Sequence, residues 1–275
     1  MKFSLIMATC GRRDDILDLL NSLEKQTYKN FELIVVDQND TPISDLFEDY
    51  KEKFSINYIY TPIKGLSRAR NAGLKVADGD IIAFPDDDCI YETNVLESIL
   101  ETFNKDKDKD IQFISTNTTN VEGTGSLVHA PETDIILNDK YGFMGPSFTL
   151  FFTKQFVQDV GTFDEDLGVG SGTIYGAGEE TDFVLRGMKN GYTGLFKKDL
   201  FVYHPVKEEV INEQSLKRAI SYAGGFGRVI RLHYGFPYFL RAVAAATFRM
   251  TQNISNDKRK FHANRLKGIV RGYFK

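Results

Sequence analysis

Gly79-Asp80-Ile81-Ile82-Ala83-Phe84-Pro85-Asp86-Asp87-Asp88-Cys89 places three carboxylates directly after a short run whose apolar residues read as a buried strand. Acids packed this tightly repel one another unless a cation or a solvated turn relieves them. Hard dications such as Mg²⁺ and Mn²⁺ prefer oxygen ligands, take one or two from the protein, and fill the remaining positions with substrate phosphate and water. A diphosphate-bearing substrate is the natural partner of such a cluster. The competing reading is an acidic turn capping a helix that starts near Glu92, and the rest of the chain decides between the two.

Outward from this stretch, short apolar runs at Phe3–Ala8, Phe31–Val36, Ile56–Tyr60 and Ile81–Phe84 alternate with helical patterns at Ile16–Leu23, Leu46–Phe54, Leu66–Val76 and Val95–Phe103. This alternation predicts an α/β fold with a mostly parallel sheet and helices on both faces. Ligands of open sheets bind beyond the carboxyl ends of the strands. The segments to inspect are therefore Thr9–Arg12, Asp37–Asp40, Thr61–Arg70 and Asp86–Asp88. Lys105–Asp110 alternates in sign and reads as a solvated turn, and Ile111–Phe152 reads as further strands with longer loops. A glycine-rich loop, Gly168–Gly172, precedes Gly178-Glu179-Glu180-Thr181-Asp182, an acidic helix start. From Ser215 to Tyr273 the pattern is helical, with breaks expected near Gly224, Gly225 and Gly227 and at Gly235-Phe236-Pro237. The expected division is a catalytic domain over 1–212, nucleotide-binding to about 110 and acceptor-binding from 111, followed by a helical extension over 213–275.

With 275 residues and 42% hydrophobic content, a sizeable core is affordable. The net charge of -4 hides an asymmetry: Lys217–Lys275 carries 13 of the 34 basic residues and only one of the 38 acids, Asp257. Such a tail suits an anionic partner, a phospholipid surface above all, or forms a solvated helical face. The two cysteines, Cys10 and Cys89, fall at strand ends, and reduced thiols in the cytoplasm are expected. No apolar run reaches bilayer length, so the expectation is a cytoplasmic protein with peripheral attachment to the inner face of the plasma membrane left open.

In order along the chain, Phe3–Arg12, Leu33–Asp37, Gly65–Gly73, Asp86–Asp88 and Gly178–Asp182 with Arg186 and Gly191 resemble the inverting glycosyltransferases of family 2, which have the GT-A fold. The resemblance covers about the first 205 residues. It implies that Asp86–Asp88 is the DXD motif: Asp88 holds Mn²⁺ or Mg²⁺ on the diphosphate of a nucleotide-sugar, Asp86 sits near the ribose, Asp87 belongs to the same cofactor-binding set, and His204 matches a further metal-ligand position. Thr9, Arg12, Asp37, Gln38, Arg70 and Asn71 match nucleotide-binding positions, with Arg70 suited to phosphate through its planar fork. Gln38 stands where the family usually has Asp, and Cys10-Gly11 replaces a Tyr-Asn, so the base is not carried over; a UDP-sugar is the first expectation.

Inversion needs one base to take the acceptor's proton while the new bond forms. By position Glu180 replaces the family's Asp in this role, with Glu179 and Asp182 as alternatives, and the plain alternative is a set of acids favouring a helix N-terminus. Acceptor recognition is expected from Phe143–Ser147 and Phe163-Asp164, and the loop after Leu167 is expected to close over the donor. The implied activity is sugar transfer to a glycan or lipid-linked acceptor in cell-surface polysaccharide assembly. A noncatalytic nucleotide-sugar-binding subunit of the same fold is the rival reading. No nucleic-acid partner is expected, since no reading motif accompanies the basic tail, and the oligomeric state is left open.

Overall fold

The computed structural model describes residues 1–275 except 106–109, 127–128, 139–144, 207–209 and 253–254. Most of the turn expected at Lys105–Asp110, and Phe143 and Met144 of the expected acceptor segment, lie outside the described residues. The chain forms two compact units: Met1–Lys64, Ala69–Thr162 and Arg186–Val206 make the first; Gly65–Arg68, Phe163–Leu185 and Lys207–Lys275 make the second.

In the first unit β1 (Phe3–Thr9), β2 (Phe31–Asp37), β3 (Ser55–Tyr60), β4 (Ile81–Ala83), β5 (Ile90–Tyr91), β6 (Ile111–Thr119), β7 (Ile135–Leu137), β8 (Leu150–Thr153) and β9 (Thr193–Tyr203) share one sheet in the order β3-β2-β1-β4-β8-β6-β9-β5, with β7 on β9. β1 runs parallel to β2 and β4, β2 to β3, and β6 to β9, whereas β8 is antiparallel to both β4 and β6. The sheet is mixed, with its parallel half where the sequence alternates strand and helix.

Along β1 the side chains alternate. Phe3, Leu5 and Met7 join a core with Ile16, Leu19, Leu20 and Leu23 of α1 (Asp15–Glu24) and Val95, Leu96 and Ile99 of α3 (Val95–Lys105). Ile6 points to the other face and meets α2 (Leu66–Leu74) at Gly73, where an added Cβ would collide with it. Burial on both faces is why β1 and β2 read as continuous apolar runs, and each such side chain contributes about 1.5–3 kcal/mol. Under α4 (Lys154–Val160), Phe156 packs on Phe113 and Phe152 with ring centroids 5.6 and 4.9 Å apart. Because β1, β2 and β4 are parallel, the segments after Thr9, Asp37 and Ala83 emerge at the same edge.

Two local expectations are corrected. Leu46–Phe54 does not form an α-helix; Ser44–Tyr50 is 3₁₀, and the buried pair Phe47 and Tyr50, three residues apart, matches its three-residue turn. Nor do the glycines near 224 interrupt the second unit: α6 (Glu213–His233) runs through them unbroken.

The reason lies in α8 (Asn256–Phe274), which follows α7 (Gly235–Gln252). A Cβ at Gly227 would strike the Ile269 carbonyl, one at Gly268 the Ile220 carbonyl, and one at Gly272 the Gly224 carbonyl, so the backbones of α6 and α8 touch. On the loop side, a Cβ at Gly225 would strike the Ala177 carbonyl. Glycine inside a helix costs about 0.5–1 kcal/mol relative to alanine, and close packing offsets that cost. The break expected at Gly235 is present, with φ +76° there. Phe239 stacks on Tyr273 at 4.2 Å to close the small core of this unit. α6 starts on a capping box: Asn212 accepts from the Ser215 N–H, and Ser215 Oγ accepts from the Asn212 N–H. Cys10 and Cys89 are both free thiols. Among the described residues no helix is long and apolar enough to cross a bilayer.

If backbone contact is what places these glycines, Gly272→Ala lowers the stability of the chain by about 1–3 kcal/mol through overpacking. Helix propensity alone predicts the opposite sign, a gain of about 0.5–1 kcal/mol. Thermal unfolding of the two proteins decides between them.

Candidate nucleotide and metal site

In the first unit the acidic cluster follows β4 so closely that Asp86 still bridges to Ala8 of β1. Asp86, Asp88 and His204, the last just beyond β9, each offer one ligand atom, and these atoms lie within 4.8 Å of one another. His204 Nε2 stands 3.0 Å from Asp88 Oδ1. Its Nδ1–H donates to the Pro205 carbonyl 2.8 Å away, which turns Nε2 to the carboxylates: protonated, Nε2–H donates to Asp88, and only once that proton is lost can its lone pair serve as a ligand. Phe148 stacks on the imidazole at 4.7 Å and holds its plane. Two carboxylates and an oriented imidazole form a donor set that fits Mn²⁺ well and Mg²⁺ less well, since Mg²⁺ takes mostly oxygen.

Cationic neighbours offset part of the charge. Arg12 Nη1 lies 2.5 Å from both Asp87 Oδ1 and Asp88 Oδ2. The Arg70 guanidinium, only 2% exposed, donates to Ser147 Oγ at 2.6 Å, lies 3.6 Å from Asp86 Oδ1 and rests over the Phe84 ring. Burial pushes the half-buried Asp86 up to about 6, against the pull of Arg70 and His204. Burial also raises Asp87, with Arg12 opposing. For Asp88 burial acts upward too, but His204 and Arg12 outweigh it and hold the carboxyl below its usual range. In His204 burial pulls downward, and Asp88 and Asp86 overcome it, so the imidazole is raised.

The loop after β2 is built around Asp37, which has no exposed surface. Its Oδ1 accepts from the N–H and the side-chain amide of Asn39, both at 2.8 Å, and its Oδ2 from the Ile43 N–H at 2.9 Å and from the Tyr58 hydroxyl. Burial would raise this carboxyl, yet the four donors together hold it below its usual range. Gln38 donates from its backbone to the Thr9 carbonyl and from its side chain to the Ile63 carbonyl. The Gly11 N–H donates to Asn39 Oδ1, tying the β1 loop to the β2 loop. Lys64, inside the Thr61–Arg70 segment but given no role there by the sequence, donates to the Gln38 carbonyl at 2.6 Å and to Asp40 at 2.8 Å. Phe148 and Ser147 were also missed in these roles. Thr9, at the end of β1, and Asn71, within α2, are both buried.

In the second unit α5 (Glu179–Lys189) opens on the acids expected there, after Gly178 at φ +95°. Glu179 is buried and Glu180 half-buried. A Cβ at Gly168 would come within 3.1 Å of Glu179 Oε2, so that glycine lets the loop lie on the carboxylate. Ser67 Oγ donates to the Leu167 carbonyl at 2.6 Å and the Leu66 N–H to the Val169 carbonyl at 2.9 Å, which pins the glycine-rich loop to the start of α2. Asp182 Oδ1 lies 2.8 Å from His233 Nε2 of α6, both side chains nearly without solvent contact. His233, 51 residues further along the chain, carried no local signal. Phe163 stacks on Phe183 at 4.3 Å.

The profile of glycosyl transferase family 2 matches residues 4–159. The chain belongs to that family. Among curated family relatives, the poly(ribitol-phosphate) β-N-acetylglucosaminyltransferase TarS of Staphylococcus aureus is 37% identical over 93 residues, 32% of this chain and 16% of TarS. The Escherichia coli UDP-Glc:α-D-GlcNAc-diphosphoundecaprenol β-1,3-glucosyltransferase WfaP is 32% identical over 105 residues, 38% of this chain and 42% of WfaP. The chain thus spans less than half the length of these relatives. Among solved structures, S. aureus TarS 1–349 in complex with UDP-GlcNAc superposes with a TM-score of 0.64 at 19% identity, over 99% of this chain and 89% of that one. The mannosyltransferase PcManGT of Pyrobaculum calidifontis, in complex with GDP-Man and Mn²⁺, gives 0.67 at 14% identity, over 99% and 87%. The shared fold is the GT-A type expected from the sequence.

Because Asp86 and His204 must both lose their protons to act as ligands and both are raised, Mn²⁺ affinity falls by about tenfold or more between about pH 7.5 and about pH 5.5. Calorimetric titration with Mn²⁺ at the two pH values checks this; equal affinities would contradict it.

Proposed function

We propose that the chain transfers a sugar, with inversion, from a nucleotide-sugar to a glycan or lipid-linked acceptor in the assembly of a cell-surface polymer. The observation that carries this reading is the convergence of Asp86, Asp88 and His204 beyond the parallel strands of a family 2 domain. In this reading those three side chains hold Mn²⁺ or Mg²⁺. Bound there, the ion supplies Lewis acidity that offsets charge building on the departing nucleoside diphosphate. A UDP-sugar is the preferred donor, supported by the UDP-GlcNAc complex of the TarS fold relative, while the GDP-Man complex of PcManGT keeps guanosine as the competitor.

The chain's own residues then divide the remaining work. Thr9, Asp37, Gln38 and Asn71 shape the nucleoside pocket, the Asp37 carboxylate by fixing the loop rather than by reaching out of it. Arg12 and Arg70 balance the acids and the diphosphate. Glu180 takes the acceptor hydroxyl's proton on a carboxylate oxygen while the acceptor's own oxygen bonds to the anomeric carbon and the bond from that carbon to the diphosphate breaks. Asp182 is less suited to this role, because its oxygen already carries His233. WfaP's name specifies a diphosphate lipid acceptor and TarS's a phosphate polymer, which supports a phosphate-bearing acceptor here. The basic helices of the second unit suit an anionic membrane surface.

The test is donor-induced stabilisation followed by turnover. At a hundredfold excess over Kd a donor stabilises by about 2.7 kcal/mol, so UDP-sugars are expected to raise Tm by several degrees with Mn²⁺ and far less without it. Asp88→Asn removes the Mn²⁺ dependence. Glu180→Gln keeps the stabilisation and loses transfer by about a hundredfold or more. Absence of stabilisation by UDP-, GDP- and dTDP-sugars alike would sink the assignment, and full activity in Glu180→Gln would remove Glu180 as base.

A further inference from the structure

One ridge of α6 faces the acidic start of α5, both within the second unit. Ser221, Gly225, Val229 and His233 recur every four residues and so share one side of the helix. Each meets the chain that leads into α5 or its first turn. The Ser221 carbonyl accepts from the Gly176 N–H at 3.0 Å. A Cβ at Gly225 would strike the Ala177 carbonyl, and one at Gly178 would come within 2.9 Å of Val229 Cγ2. His233 Nε2 stands 2.8 Å from Asp182 Oδ1. Beside the ridge, the Arg228 guanidinium lies over the Tyr175 ring at 5.6 Å. The first turn of α5 closes between the contacts at Gly178 and Asp182, because the Asp182 N–H donates to the Gly178 carbonyl at 2.9 Å. Glu179, Glu180 and Thr181 are the residues inside that turn, and α6 holds it at both ends.

Stability alone does not account for the contact at Asp182. The side chains of His233 and Asp182 are 4% and 5% exposed, and His233 Nδ1 has no hydrogen-bond partner among the described residues. Burying a polar pair costs desolvation, and apolar side chains of similar volume often stabilise a core as well or better. What the pair adds over them is direction, since a hydrogen bond fixes both distance and angle. The glycine contacts with α8 brace α6 from another side.

We infer that α6 is the mount of the base-bearing turn and that His233 is a positioning residue for transfer: through Asp182 it fixes the rotation and depth of the turn that carries Glu180. This deepens the assignment of Glu180 as base and rests on it. The helices expected from the sequence to form an extension after residue 212 then take part in setting the catalytic geometry.

Three variants of the full chain test it. His233→Leu removes the donor to Asp182 and fills the space with an apolar side chain. His233→Gln keeps a side-chain N–H for Asp182. Gly225→Ala, which touches neither glutamate, pushes the Ala177 segment off the ridge. His233→Leu and Gly225→Ala are expected to lower kcat by about tenfold to a hundredfold, the scale of a misplacement of about 1 Å, with the donor KM and the donor-induced rise in Tm unchanged. His233→Gln is expected to recover most of the loss, and the pH dependence of kcat keeps its shape. The Asp182 amide is expected to exchange its hydrogen at least about tenfold faster in His233→Leu than in the wild type. Wild-type kcat in His233→Leu, no recovery in His233→Gln, or loss of donor stabilisation together with kcat would each overturn the inference. So would an unchanged Asp182 exchange rate, or a kcat profile shifted along pH, which would make the Asp182–His233 pair itself the base. Failure of the base or donor reading shows separately, as full activity in Glu180→Gln or as absent UDP-sugar stabilisation of the wild type, and the exchange measurement judges the mount in either case.

Discussion

Three adjacent carboxylates at the end of a central strand can persist only where cations stand against them, and much of the first unit is arranged to meet that condition. Arg12 reaches in from the β1 loop, Arg70 from α2 and His204 from the end of β9. Each comes from a different element, so the sheet order that sets β4 beside β1, with β9 in the same sheet, is what brings the charges together. The core of alternating β1 side chains against α1, α2 and α3 fixes that order. Remove the acids and the buried Arg70 guanidinium loses the Asp86 carboxylate that stands 3.6 Å from it.

The offset is uneven, and the unevenness is chemically useful. Asp88 stays ionised because His204 and Arg12 favour its charged form, whereas Asp86 is pushed toward protonation by burial. Neighbouring acids with opposite shifts are a common mark of a functional site. The imidazole, braced by Phe148 and by the Pro205 carbonyl, presents Nε2 to the cluster with little freedom left to lose. In the second unit a comparable economy of freedom surrounds the acidic end of α5: Gly168 lies against Glu179, and His233 holds Asp182.

Much of this was legible in the chain. β1, β2 and β4 announced themselves as apolar runs because both their faces are covered, and the acids followed β4 without a gap. The acidic start of α5 was legible from Gly178 and the three acids after it. Other features left no local trace. The 3₁₀ turn at Ser44–Tyr50 shares its apolar spacing with an α-helix, and only the burial of Phe47 and Tyr50 separates them. Gly224, Gly225 and Gly227 have the composition of a break but act as a contact surface, a distinction that depends on Gly268 and Gly272 more than forty residues away in the chain. Asp37 matched a binding position by motif, but the Tyr58 hydroxyl that helps hold its carboxylate comes from the next strand and left no local signal.

The central claim is that Asp86, Asp88 and His204 form a cation site. Electron spin-echo spectroscopy of the protein loaded with Mn²⁺ tests it directly, since a coordinated imidazole modulates the echo through its nitrogen nucleus. The account predicts coupling to a single imidazole nitrogen that disappears in His204→Ala, with Mn²⁺ held more weakly. Mn²⁺ bound tightly without nitrogen coupling, or coupling that persists in His204→Ala, would contradict it.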